Sequence, residues 1–164
     1  MSISVYAAMW FLPFVVPLCL YTAYTDMASM RITNPTVIAL ASVFVVIGPI
    51  ALPFETYLWH LLAMFIALIV GILVNAAGIM GAGDAKFIAA ATPFVALGDL
   101  RLAMALFMAT LVAAVVIHRG VKHTRLRQLA PHWVSWDQPT KFPMGLALGT
   151  ALAFYLILGV IFGA

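Results

Sequence analysis

The chain is a succession of long apolar runs separated by short polar ones, and that alternation leaves it one solvent. A helix needs roughly 20 predominantly apolar residues to cross the hydrocarbon of a bilayer. The run from Ile3 to about Tyr24 meets that length, and so does the run from Phe142 to Phe162. The run from Tyr57 to about Gly78 meets it too, and runs from Pro35 to about Leu52 and from Leu102 to about Ile117 come close to it. A soluble domain carries roughly 25% charged residues. Here 8% are charged and 66% are hydrophobic, which excludes a water-soluble globule. The expectation is an all-α, polytopic membrane protein, a six-transmembrane-helix bundle forming a single domain over residues 1–164.

The segment needed to reach six is the short one. Ala85 to Leu97 is apolar for only 13 residues, a length shared by short spans and re-entrant segments. A helix that starts inside the preceding glycines gains a turn and can cross. Charge decides for six. With six spans, loops one, three and five lie on one side and hold Arg31, Lys86, Arg119, Lys122, Arg125, Arg127 and Lys141. The other side holds only Arg101. The positive-inside rule then makes the odd loops cytoplasmic and puts both termini outside. The N-terminus has no basic region, and its apolar run exceeds a signal-peptide core, so it reads as a retained helix. The long loop, about residues 118–141, is basic and bears Trp133 and Trp136, as suits a cytoplasmic surface element attracted to anionic lipid. The eight Lys and Arg report orientation in a membrane and imply no nucleic-acid partner.

Against this background two acids are misplaced. Asp84 sits in Gly81-Ala82-Gly83-Asp84-Ala85-Lys86, between two apolar runs. Asp26 closes the first run, where a helix C-terminus disfavours negative charge. Carboxylates at the mouth of a membrane bundle are candidate sites by default. Gly81 and Gly83 carry no side chain, so another backbone can approach Asp84 closely. The bland alternative makes Asp84 a helix N-cap and Asp26 a solvated loop acid. The predicted topology places both at the cytoplasmic ends of their spans, with Glu55 and Asp99 on the opposite face. Asn34-Pro35 reads as a helix start, with Asn34 as the cap. Asn75, late in the third span, reads as an interhelical hydrogen-bonding group.

Two adjacent carboxylates resist double ionisation, so one retains a proton while the other is charged. The charged member can take a proton from water, and the protonated one can polarise a carbonyl and later protonate the leaving amine. This chemistry requires no metal and no cofactor. The pair titrates as a unit, so neither acid has a permanent role. One cysteine, Cys19, builds no disulfide, and no two of the four histidines have the i, i+4 spacing of a helical metal site.

These residues resemble a known family. Gly81 to Lys86 is similar to the GxGDxK motif of type IV prepilin peptidases. Asp26 with Arg31-Ile32-Thr33-Asn34 resembles the family's first aspartate segment, and Phe142-Pro143-Met144-Gly145 the proline-glycine segment that opens its last helix. Presenilin-type proteases share GxGD but carry Tyr-Asp and Pro-Ala-Leu, whereas this chain has Thr25 before Asp26 and no Pro-Ala-Leu. The resemblance implies catalytic Asp26 and Asp84. Gly81, Gly83, Asn34, Pro143 and Gly145 read as substrate-binding or backbone-shaping residues, and Lys86 and Arg31 as interface anchors first and groups that hold the substrate backbone second. It implies a multi-pass protein of the cytoplasmic membrane that cleaves the short basic leaders of prepilins or pseudopilins, after a glycine that precedes an apolar helix. Larger members bind zinc through four cysteines and N-methylate. This chain looks like the minimal form of tight-adherence (Flp) pilus or preflagellin systems, and the methyltransferase activity is not carried over. Two other readings compete: a small proton- or cation-coupled transporter, and a catalytically silent pilus-assembly scaffold. The first expects acids near the midplane and repeated halves.

Overall fold

Among residues 1–138 and 142–164, which this computed structural model describes, all regular structure is helical. Lys141, counted above in the charge bias, lies outside them. The first apolar run becomes α1 (Val5–Ser29), capped by the Ser4 hydroxyl, which accepts from the Ala7 amide at 3.2 Å. It runs past the expected end at Tyr24 and includes Asp26. Hydroxyls in its last turns satisfy themselves locally: Thr22 donates to the Leu18 carbonyl at 2.8 Å and Ser29 to that of Thr25 at 2.7 Å. The helix stops at Met30, which turns left-handed (φ 54°) and returns its amide to the Asp26 carbonyl.

Helices α2 (Asn34–Ala51) and α3 (Phe54–Ala76) follow. Thr33, not Asn34, occupies the cap position of α2, and its hydroxyl meets that of Thr36 at 2.6 Å. Asn75 does not reach another helix; its amide donates to the Met80 carbonyl at 2.8 Å and closes the turn after α3.

The short segment is broken. Helix α4 (Ala82–Ala91) begins inside the glycine stretch, and 3-10 turns follow at Thr92–Phe94 and Leu97–Asp99. Ten helical residues cover about 15 Å, half of a hydrocarbon core of about 30 Å. The 3-10 turns, with Val95 and Ala96 between them, continue the chain from α4 to Asp99. The two ends of this segment lie at opposite ends of the bundle. Asp84 shares a cleft with Asp26 near the end of α1, whereas the Asp99 carboxylate accepts from the Ser2 and Ile3 amides, at 2.7 and 2.9 Å, beside its start. Pro93 stops α4 because it has no amide to donate. Irregular backbone at membrane depth needs protein partners. His60 Nδ1 lies 2.7 Å from the Pro93 carbonyl, and the Tyr155 hydroxyl accepts from the Ala96 amide at 3.1 Å while donating to Asp99 at 2.9 Å. Asp99 is thus a buried clamp rather than a plain turn acid.

Helix α5 (Leu100–Lys122) returns to the end where Asp26 lies, and α6 (Met144–Phe162) packs antiparallel along α1. Small residues let these two backbones meet. A Cβ at Gly149 would lie 2.6 Å from the Cys19 carbonyl oxygen, and one at Gly159 would lie 3.0 Å from Ile3. Among the described residues, five helical segments are long and apolar enough to cross a membrane: Val5–Ser29, Asn34–Ala51, Phe54–Ala76, Leu97–Lys122 and Met144–Phe162.

The expected loop from 118 begins only after Lys122 and is folded, with 3-10 turns at Arg125–Leu129 and Val134–Asp137. Trp136 is buried and donates to the Ala130 carbonyl at 2.8 Å. It stacks on His118 and on Trp133, at 4.8 and 5.7 Å between ring centroids, and Trp133 meets Tyr24 of α1 edge-on. So the aromatic side chains of this segment pin it to α5 and α1, while most of its other residues stay exposed.

Candidate active site

Six turns into α1 the helix presents Asp26, 5% exposed, to the first turn of α6. The first amides of a helix have no partner of their own. The Gly145 amide donates to Asp26 Oδ2 at 2.6 Å. The carboxylate therefore lies at the unfavourable end of its own helix but at the favourable, N-terminal end of α6. Only glycine fits at 145, because a Cβ there would lie 2.9 Å from Asp26 Cβ and 3.0 Å from Oδ2. Pro143, fully buried, occupies the cap position of α6 and sets where that turn begins.

Asp84 reaches the same place from α4. Gly81 takes the cap position, and Asp84 is the third helical residue, so the N-cap reading does not hold. Its carboxyl folds over Gly81, where a Cβ would lie 2.9 Å from Oδ2. Gly83 gives the close approach expected of it: Ile32, in the α1–α2 link, would be 3.3 Å from a Cβ there. Asp26 and Asp84 line one cleft of about 530 Å³ with Met30, Arg31, Ile32, Gly81, Ala82, Gly83, Phe142 and Met144. A water occupies about 30 Å³, so the cleft has room for water and for a stretch of peptide.

Other expected residues lie elsewhere. Lys86 and Asn34 are not in the cleft; they meet each other at 3.1 Å beside a separate groove between α2, α3 and α4. Pro143 and Gly145 stand behind Asp26 rather than lining the opening. Met30, Ile32, Ala82, Phe142 and Met144 also line the cleft without having been singled out as site residues; as small or apolar side chains they carry no signal that separates them from packing residues. Among the described residues, no three His, Cys, Asp or Glu side chains gather in one place.

Comparison with protein-family models gives a match to the type IV leader peptidase family over residues 13–118, more than half of the chain and including both Asp26 and Asp84. No curated protein and no solved structure matches the chain.

Proposed function

From the premise that the chain belongs to the type IV leader peptidase family, we propose that it is a membrane aspartic endopeptidase in which Asp26 and Asp84 act together on one water molecule. One observation carries the reading: two acids 58 positions apart in sequence (84 less 26) line the same cleft at the same end of the bundle. In the proposed reaction the ionised carboxylate removes a proton from water, whose oxygen adds to the scissile carbonyl. The protonated carboxyl hydrogen-bonds to that carbonyl oxygen as it gains charge. Collapse of the tetrahedral intermediate breaks the C–N bond, and the departing nitrogen takes a proton from the pair. The Gly145 amide holds Asp26 in a fixed orientation through this cycle. Arg31, at the rim of the cleft, is placed to hold a substrate carbonyl or the new carboxylate of the leader.

The side of the membrane follows from charge. Arg31, Lys86, Arg119, Lys122, Arg125 and Arg127 belong to segments at the cleft end of the bundle, and Arg101 to the other. The positive-inside rule makes the cleft cytoplasmic. The substrates would be prepilins or pseudopilins of the tight-adherence type, cut between a short basic leader and an apolar helix. The test is co-expression with candidate prepilins from the same genome, followed by a gel shift and N-terminal sequencing. A new N-terminus immediately after the glycine preceding the apolar helix supports the proposal. Intact prepilins beside correctly inserted protein would refute it, and proton movement by the same protein in proteoliposomes would then favour the transporter.

A further inference from the structure

Lys86 is exposed and, among the described residues, has no carboxylate within ion-pair distance. Its amine donates to Asn34 Oδ1 at 3.1 Å, which leaves the Asn34 NH2 and the remaining lysine N–H groups pointing to no protein acceptor among those residues. Below this pair lies a groove of about 410 Å³ where α2 and α3 diverge over α4. Val37 and Ala41 form one wall, Met64 and Leu68 the other, and Ala89 and Ala90 the floor. It opens sideways, because Ile38 and Phe65 on its rims are exposed, 64% and 54%.

The reach of the groove restricts what fills it. Asn34 is the first residue of α2, and Ala41 is about 10 Å further along the axis. On α3, Leu68 and Met64 precede the end at Ala76 by about 12 and 18 Å. The groove thus descends from the cleft end to near the midplane of a core about 30 Å thick and stops there. A transmembrane helix of a partner would need the full thickness. An acyl chain of one leaflet needs half of it, and its headgroup then lies at the level of Lys86.

We propose that this groove binds one anionic phospholipid, with its phosphate held by Lys86 and the Asn34 amide and one acyl chain lying between α2 and α3. The site is separate from the cleft, so it stands whether or not the proposed peptidase activity is found. The charge complementarity is specific: a buried acyl chain alone would not discriminate headgroups, whereas an unpaired lysine at an interface favours an anionic one by about fivefold.

The experiment uses the whole protein in phosphatidylcholine vesicles. Phosphatidylglycerol with a mid-chain diazirine is added at low mole fraction and photolysed, and labelled peptides are mapped by mass spectrometry. Label is expected on Met64, Phe65, Leu68, Ala89 and Ala90. It should exceed labelling by the matching phosphatidylcholine probe about fivefold, lose that excess in Lys86→Gln and keep it in Lys86→Arg. The phosphatidylcholine probe should label wild type and Lys86→Gln alike, which shows that the groove is intact. Equal labelling by the two probes in wild type, or an excess that survives Lys86→Gln, overturns the proposal. So does label that avoids this groove.

Discussion

Replacing Gly145 by alanine tests whether α6 positions Asp26. The new Cβ would lie 2.9, 3.0 and 3.2 Å from Asp26 Cβ, Oδ2 and Cγ, where ordinary contacts are about 3.5–4.0 Å. The conflict involves the base of a short side chain on a packed helix, so rotation of the carboxyl alone does not relieve it. Either α6 withdraws by several tenths of an ångström or Asp26 turns away, and both lengthen the 2.6 Å bond from the Gly145 amide. A hydrogen bond to a charged group contributes about 1.5–3 kcal/mol. If 2–3 kcal/mol is lost in the transition state, the rate falls by about 30- to 150-fold. The assay is single-turnover cleavage of a leader-bearing prepilin in detergent. The control is Gly48→Ala, whose Cβ would meet the Tyr57 ring at 2.7 Å, an insult at least as severe on α2, at the other end of the bundle. We expect Gly145→Ala to be slow with near-normal substrate affinity, and Gly48→Ala to lose stability but cut at a near-normal rate. Wild-type rates for Gly145→Ala would refute the positioning argument. Equal rate losses in both variants would show that general loosening, not the Asp26 contact, is responsible.

Other outcomes follow from the same contacts. Asp99→Ala strands the Ser2 and Ile3 amides and the Tyr155 hydroxyl, and should cost about 2–3 kcal/mol, read as a lower thermal midpoint in detergent. Trp136→Ala removes the stack on His118 and the bond to the Ala130 carbonyl, and should speed tryptic cleavage at Arg125 and Arg127 at least tenfold while the membrane helices stay intact.

The acids of the cleft were legible in the sequence because lipid makes their positions costly, and the start of α4 inside the glycine stretch because the apolar run after it is short. What stayed hidden was long-range pairing. Asp99 looks like a turn residue until Ser2, Ile3 and Tyr155 arrive from 97, 96 and 56 positions away. Asp26 at a helix C-terminus looks poorly placed until the N-terminus of α6 is brought to it. Lys86 and Asn34 belong to the segments that carry the acids, but the helix periodicity of α4 turns Lys86 away from Asp84, so residues two apart serve different surfaces. In the basic loop, composition reports the average environment of the segment, and the specific burial of Trp136 against His118 is what it does not show.

The most direct test of the shared-water mechanism is a double-mutant comparison of cleavage rates for Asp26→Asn, Asp84→Asn and the pair. Groups that act as one unit are strongly non-additive. The account predicts that each single change lowers the rate to the same background, on the order of 10³-fold or more below wild type, and that the double variant is no slower. Losses that multiply, or a single variant that still trims the leader at a substantial rate, would contradict it.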